Sequence, residues 1–212
     1  MSDAHTAEKK FMNSSTLDSH TIFGLVLAGG QSSRMRMDKG LIEFYGKPQR
    51  EYIFELLSKF CPQVFTSCKR NSDVPSFLNP IPDQFKMESP LNGILTAFQK
   101  YNNVAWLTVP IDMPLIDHVT IDYLIVNRSK DHMATCFFDS EGKNPEPLFT
   151  IWETKAYPSL LEFCNAGKAS PRDFLKQSET KMIAVPDAHV LLNLNTPEEL
   201  QNFKINHHLN LG

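Results

Sequence analysis

The sequence predicts an α/β fold in which a mostly parallel sheet carries helices on both faces. Short apolar runs, typical of buried strands, alternate with segments whose apolar residues recur every three or four positions, typical of helices packed on a sheet. The first apolar run, at 22–28, opens directly into the glycine pair Gly29-Gly30. Two later apolar runs are separated by a short polar turn, which is typical of an antiparallel portion at one side of an otherwise parallel sheet.

The predicted elements follow one another in order along the chain. Strands are predicted at 22–28, 63–68, 77–81, 104–109, 133–138, 147–152 and 181–185. Helices are predicted from Pro48 to about Phe60, at 91–101, 155–165 and 171–176, and from Pro197 onward, with Thr196 as the N-cap of the last. Because successive parallel strands run in the same direction, the segments that follow them are expected at one rim of the sheet.

Composition narrows the class of protein. The 212 residues, with 42% hydrophobic residues and a net charge of -3, indicate one globular domain at 21–205 between a flexible tail at 1–20 and a C-terminal tail at 206–212. There is no basic excess to bind nucleic acid, and no apolar run long enough for a membrane. The four cysteines lack C-x-x-C spacing, so neither a zinc site nor a redox dithiol is expected. The first twenty residues lack a signal-peptide pattern, which favours the cytoplasm.

The stretch from Ile22 to Lys39 is the main functional signal. A buried strand that opens into paired glycines lets successive backbone N–H groups face an anion, and Arg34 and Lys39 add positive charge beside them. An ordinary strand-to-helix turn with two solvated cations is the alternative interpretation. Neither the Walker A pattern nor G-x-G-x-x-G occurs, so the stretch belongs to neither a P-loop kinase nor a dinucleotide binder.

A second signal lies at Asp112, between Pro110 and Pro114 at the end of a predicted strand. The prolines stiffen the backbone on both sides, so the carboxylate is presented as a cation ligand should be. The alternative is a helix N-cap region in which Asp117 caps the next helix. The glycine loop, the two cations and Asp112 together suit a nucleoside triphosphate with Mg²⁺.

Four segments together resemble the molybdenum cofactor guanylyltransferases. They are L-A-G-G-x-S-x-R-M with D-K-G at 27–40, S-P-L-N-G-I at 89–94, P-I-D-M-P at 110–114 and N-L-N-T-P-E-E-L at 193–200. The resemblance implies a three-layer, Rossmann-like nucleotidyltransferase fold. It also implies Mg²⁺-dependent transfer of GMP from GTP to molybdopterin cofactor with release of pyrophosphate, and transient contact with other proteins of molybdenum cofactor biosynthesis.

Carried over position by position, the resemblance implies three groups of site residues. The catalytic group is Arg34, Lys39 and Asp112, with Asp112 as the Mg²⁺ ligand. The nucleotide-binding group is Leu27, Ala28, Gly29, Gly30, Lys39, Ser67, Asp83, Gly93 and Asp112, with Asp83 at the guanine or ribose end. The acceptor-binding group is Asn193 and Asn195, for which a structural role before a helix cap is an equally open interpretation.

The chain departs from the family pattern at several positions. Arg36 stands where the family usually has glycine, and it either points to solvent or alters the grip on phosphate. Ser67 replaces a nucleotide-contacting asparagine, and N-P-E-P-L-F at 144–149 replaces H-P-T-x-A-L near the expected acceptor. Two alternatives therefore stay open: a cytidylyl- or uridylyltransferase acting on a pterin or sugar phosphate, and a non-catalytic nucleotide-binding module of the same fold.

Overall fold

A computed structural model describes residues 20–28 and 38–207 of the chain. Within these ranges the strands are β1 (Ile22–Leu27), β2 (Val64–Cys68), β3 (Pro80–Pro82), β4 (Ala105–Pro110), β5 (Ala134–Phe138), β6 (Pro145–Trp152) and β7 (Thr180–Ile183). The α-helices are α1 (Gln49–Leu57), α2 (Leu91–Lys100), α3 (His118–Val126), α4 (Ala156–Asn165), α5 (Pro171–Gln177) and α6 (Pro197–Asn206). None of the helices described is long and apolar enough to cross a bilayer.

The seven strands form one mixed sheet in the order β3-β2-β1-β4-β6-β5-β7. β6 pairs antiparallel with both β4 and β5, whereas the other neighbouring strands pair in parallel. The predicted α/β fold, mostly parallel with an antiparallel portion, is therefore confirmed. The antiparallel pair of β5 and β6 lies towards one side of the sheet, as predicted, and β7 adds parallel to β5 at the edge beyond it.

Alternation of side chains along β1 separates the two layers of helices. Phe23, Leu25 and Leu27 belong to the core that α2, α4 and α5 cover, whereas Val26 belongs to the core that α1 and α3 cover. Successive strand residues point to opposite faces, so one buried strand contributes to both cores. The result is the helix–sheet–helix arrangement that the resemblance implied.

Several predicted boundaries were wrong, and β6, for example, begins at Pro145 rather than at residue 147. α1 ends at Leu57 rather than near Phe60, because the amides of Lys59 and Phe60 bond three residues back and Pro62 follows Cys61. The strand expected at 77–81 begins only at Pro80, since Ser76–Leu78 is a 3-10 helix that Asn79 ends with a left-handed φ of 47°. The last strand is Thr180–Ile183 rather than 181–185.

A small third core connects two distant parts of the chain. Ile42 and Phe44, which follow a 3-10 helix at Lys39–Leu41, pack with Leu194 and Phe203. The rings of Phe44 and Phe203 meet edge to face with centroids 5.4 Å apart. Burial of these four side chains brings the segment after Lys39 against the segment that leads into α6.

Candidate active site

The carboxyl ends of β1, β2 and β4 form one rim of the sheet. Leu27 lies in register with Ser67 on one side and with Pro110 on the other. Leu27 is buried and Ala28, the next residue, is half-buried, so the chain reaches the surface of the rim at Ala28. The predicted loop residues Gly29, Gly30 and Arg34, and Arg36 with them, lie outside the described residues.

Lys39 lies at the centre of a polar cluster on this rim. Its ammonium Nζ donates to the Leu194 carbonyl at 2.8 Å and to Asn195 Oδ1 at 3.2 Å, and it lies 3.7 Å from Asp112 Oδ2. The side chains of Lys39 and Asp112 are only 16% and 22% exposed. Three segments that are distant in sequence therefore meet at one cation: the one after β1, the one after β4 and the one before α6.

Asp112 is held in place by its backbone and keeps one oxygen unused. Its carbonyl accepts from the Leu194 amide at 2.8 Å, which joins the end of β4 to the segment before α6. Its Oδ1 atom is buried and has no hydrogen-bond partner among the described residues. Burial raises the pKa of the Asp112 carboxyl above its usual range, although the Lys39 ammonium acts in the opposite direction. A cation bound at Oδ1 would offset the free-energy cost of burying the ionised carboxylate.

Asp117 has the capping role that was predicted for it. Its Oδ1 accepts from the Thr120 amide at 2.8 Å at the start of α3. The capping alternative therefore applies to Asp117, whereas Asp112 lies five residues earlier and its side chain accepts no helix amide among the described residues. The capping interpretation is therefore confirmed for Asp117, and the role of Asp112 as a metal ligand stays a prediction.

A buried arginine that was not predicted as a site residue supports the turn that carries Lys39. Arg50, whose side chain is 5% exposed, donates from Nη1 to Asp38 Oδ2 at 3.2 Å. Asp38 in turn accepts from the Gly40 amide at 2.8 Å, and a Cβ at Gly40 would lie 3.1 Å from Arg50 Cδ. The available signal was spacing, because Arg50 precedes Ile53 by three residues on the buried face of α1.

Ser67, Asp83 and Gly93 form a second group at the rim. Ser67 is 2% exposed and donates from Oγ to Asp83 Oδ1 at 3.3 Å. α2 approaches β2 so closely at Gly93 that a Cβ there would lie 2.1 Å from Ser67 Oγ. Burial raises the pKa of the Asp83 carboxyl, against the opposing hydrogen bond from Ser67. These three predicted nucleotide-binding residues thus lie together in the fold.

The two predicted acceptor residues face different surroundings. Asn195 contacts Lys39, and its amide donates to Glu199 Oε2 at 2.6 Å within the capping box at the start of α6. Asn193 instead donates from Nδ2 to the Leu191 carbonyl at 3.2 Å and lines a cavity of about 280 Å³ beside α6. The predicted cap at Thr196 is confirmed. Only Asn195 of the pair therefore joins the Lys39 cluster within the part of the chain described.

The segment at 144–149, where the chain departs from the family pattern, begins β6. Glu146 is 4% exposed, and its Oε1 accepts from the Leu148 amide at 3.0 Å. The register between β5 and β6 shifts beside it, between Cys136 and Phe138. The carboxylate thus accepts from backbone amides at an irregularity in the sheet, and burial, with a smaller contribution from the Asp112 carboxylate, raises its pKa.

The described residues contain no ready-made metal cage. No group of three or more His, Cys, Asp or Glu side chains within 20–28 and 38–207 is arranged to hold a metal ion. A metal at Asp112 would therefore need its remaining ligands from bound phosphate and water, which is the usual arrangement for Mg²⁺ at phosphate-transfer sites.

Comparison with known families identifies this architecture. The model of the MobA-like NTP transferase domain matches residues 24–182, which span β1 through most of β7. The chain belongs to the MobA-like NTP transferase family. Together with the relatives described next, this match confirms the predicted resemblance to molybdenum cofactor guanylyltransferases. In this MobA-like NTP transferase, the matched residues include Lys39, Asp83 and Asp112, whereas Asn193 and Asn195 follow the matched region.

Relatives of this MobA-like NTP transferase carry names from molybdenum cofactor biosynthesis. A molybdenum cofactor biosynthesis bifunctional protein of Synechocystis sp. is 33% identical over 181 residues, 84% of this chain and 52% of the relative. The chain thus spans about half the length of that protein. A molybdenum cofactor guanylyltransferase of Vibrio parahaemolyticus is 33% identical over 184 residues, 84% of this chain and 93% of the relative.

A solved structure shares the fold. The molybdopterin-guanine dinucleotide biosynthesis protein A from Archaeoglobus fulgidus aligns with a TM-score of 0.74 at 21% identity, covering 88% of this chain and 98% of that one. At this identity the likeness concerns the fold alone. It confirms the predicted nucleotidyltransferase architecture.

Proposed function

We propose that this protein transfers GMP from GTP to molybdopterin cofactor, forming the guanine dinucleotide cofactor and releasing pyrophosphate, with Mg²⁺ as the metal. The relatives' names support the substrates, and the rim of the sheet supports the reaction type. Guanylyl transfer requires a phosphate site, a metal ligand and an acceptor site that adjoin one another. The proposal extends to transient contact with other proteins of molybdenum cofactor biosynthesis and to the predicted cytoplasmic location.

The observation that carries the proposal is the meeting of three segments at the Lys39 ammonium. Asp112 from the end of β4 and Asn195 from the segment before α6 both lie within 4 Å of Nζ. A donor triphosphate on one side and an acceptor phosphate on the other can both reach such a point. Proximity of this kind supports direct in-line transfer between two bound substrates.

The triphosphate end is assigned to the loop after β1. The backbone amides of Leu27, Ala28, Gly29 and Gly30 would face the phosphates, with Arg34 and Lys39 as fixed positive charges. In the structure described, Lys39 is already oriented by the Leu194 carbonyl and by the Asp38 turn. An ammonium held in place before substrate binds needs little reorganisation as charge develops on the leaving pyrophosphate.

The nucleoside end is assigned to the group at β2, β3 and α2. Asp83 is the proposed contact to guanine or ribose, with Ser67 and Gly93 beside it. A carboxylate can accept two N–H donors from the edge of guanine, and Ser67 orients one of its oxygens. The absence of a side chain at Gly93 lets α2 lie against Ser67.

The metal is assigned to Asp112 because its Oδ1 atom is suited to bind a divalent cation. The buried Oδ1 is a hard anionic donor without a hydrogen bond among the described residues, which suits a hard divalent cation. Bound Mg²⁺ would supply Lewis-acid polarisation of the α-phosphate. Asp112 itself holds its position through its bond to Leu194, so the ligand is ordered by the backbone of two segments.

The acceptor is assigned to Asn193 and Asn195. Asn195 adjoins the phosphate side through Lys39, and Asn193 lines the cavity next to α6. This division suits an acceptor whose phosphate lies near Asn195 while its ring system extends towards Asn193.

The experiment that tests the proposal is incubation with GTP, Mg²⁺ and molybdopterin cofactor, with pyrophosphate and dinucleotide product measured. Asp112→Ala should abolish turnover while the melting temperature shows an intact fold. Asp117→Asn is the matched control, because asparagine also caps helices, and it should keep full activity. In thermal shift, GTP should stabilise the protein more than CTP does. Undiminished turnover in the Asp112 variant, or an equal shift with CTP, would contradict the assignment.

A further inference from the structure

A buried amide on α2 holds the loop that follows Asp83. Asn92 is 4% exposed, and its Oδ1 accepts from the Phe85 amide at 3.0 Å. Its Nδ2 donates to the carbonyls of Phe85 at 2.6 Å and Met87 at 3.1 Å. Residues 83–90 contain neither helix nor strand, so these side-chain hydrogen bonds take the place of the backbone hydrogen bonds of a regular element.

Thr96, one turn further along α2, extends the same network. Its Oγ1 accepts from the Gln84 amide at 3.1 Å and donates to Asn92 Oδ1 at 3.4 Å. Residues four positions apart share one face of a helix, so both side chains meet the same loop. Thr96 is also 4% exposed, and the network is therefore shielded from water.

The loop is clamped from its other side as well. Arg70 donates from Nε to the Asp83 carbonyl at 2.9 Å and from a terminal nitrogen to the Gln84 carbonyl at 3.2 Å. The Asp83 amide bonds to the Cys68 carbonyl at 2.9 Å. The peptide groups on both sides of Asp83 are thus fixed, and its carboxylate is held beside Ser67.

We infer that Asn92 and Thr96 are positioning residues for the part of the donor site that binds the nucleoside end of the nucleotide. They act through Asp83 and the loop, without touching the phosphates. The inference rests on the proposed function, because it requires Asp83 to contact guanine or ribose. Asparagine is a poor helix former and a buried amide is costly unless satisfied, so its contribution at this position lies in the bonds it makes to the loop.

The inference is tested by calorimetric titration of the protein with two probes, both in the presence of Mg²⁺. GTP uses the whole donor site, whereas inorganic tripolyphosphate uses only the phosphate end. Asn92→Ala should weaken GTP binding by about ten- to a hundredfold, the loss expected when a buried polar contact to the nucleotide is no longer made. Its affinity for tripolyphosphate should stay unchanged. Gln99→Ala, on the exposed end of the same helix, is the matched control and should bind both probes normally.

Two variants at Thr96 test the inference independently, in case Asn92→Ala fails to fold. Thr96→Val removes the hydroxyl but keeps the shape, and it should weaken GTP binding selectively. Thr96→Ser keeps the hydroxyl and should bind GTP as tightly as the wild type does. Hydrogen exchange in the Asn92 variant should be faster at 84–90 and unchanged in the rest of α2.

The outcomes separate this inference from the proposed function. Equal weakening of both probes, no weakening of GTP binding, or unchanged exchange at 84–90 would overturn the positioning role. Wild-type protein that binds tripolyphosphate as tightly as GTP would overturn the proposed nucleoside site itself, and the inference with it. Selective weakening in the variants, with serine rescue at position 96, supports both.

Discussion

The contact between α2 and β2 provides a sharp test of the packing at the rim. We expect Gly93→Ala to destabilise the protein and to weaken nucleotide binding. A Cβ at position 93 would lie 2.1 Å from Ser67 Oγ and 2.8 Å from Ser67 Cβ. Rotation of Ser67 can move Oγ away but cannot move Cβ, so the helix and the strand must separate. That separation would also disturb the hydrogen bond from Ser67 to Asp83.

The size of the effect follows from the cost of overpacking a buried contact. Added carbon in a well-packed site costs about 1–3 kcal/mol, which for a domain of this length lowers the melting temperature by about 2–12 °C. Ser67→Gly removes both clashing atoms, so the double variant Ser67→Gly/Gly93→Ala should be more stable than the sum of the two single changes predicts. The expected coupling lies within the usual range for residues in contact, about 0.5–3 kcal/mol.

The assay is urea unfolding of the wild type, both single variants and the double variant. The cycle of variants cancels the gain in helix propensity from glycine to alanine, because the change at position 93 is the same in both backgrounds, and Gln99→Ala serves as an exposed control in the same helix. GTP titrations of the same proteins measure the effect on the site. If Gly93→Ala unfolds at the wild-type urea concentration, or if the two substitutions are additive, the close approach at Gly93 is not what holds α2 against β2.

Two further predictions concern residues away from the site. Arg128→Met should cost about 3–5 kcal/mol, because the side chain of Glu153 is 4% exposed and loses its two bonds of 2.7 and 2.8 Å. In urea unfolding, the double variant Arg128→Met/Glu153→Leu should recover most of this free energy of unfolding. An Arg128→Met variant as stable as the wild type would contradict the reasoning. Burial raises the pKa of the Cys61 thiol to about 12, so only about one molecule in ten thousand carries the thiolate at pH 8. Iodoacetamide should therefore modify Cys61 in urea but not in the native protein, as peptide mass spectrometry would show, and rapid native labelling would refute this burial.

Features that depend on neighbouring residues were predicted well. The order of strands and helices follows from local periodicity, and the caps at Asp117 and Thr196 follow from side chains that bond amides three residues away. The errors fell at element ends. Asn79 ended a 3-10 helix where a strand was expected, because a left-handed backbone leaves little trace in hydrophobic pattern.

Features that depend on the whole fold were not predictable in the same way. The sequence indicated that Lys39 and Asp112 belong to one site, but it offered no sign that Lys39 would donate to the Leu194 carbonyl, 155 residues away. A carbonyl has no sequence signature, and its position depends on the small core that Leu194 shares with Ile42, Phe44 and Phe203. Arg50 was missed because a cation on a helix is usually solvated.

The sequence by itself therefore determined the α/β class, the succession of elements and the family. The tertiary structure decided that Asn195 joins Lys39 while Asn193 faces a cavity beside α6, and that Ser67 and Gly93 touch. The physical reason is the range of the forces involved. Periodicity and capping act within a few residues, whereas the geometry of the site depends on the order of strands and on which side chains the distant segments bury together.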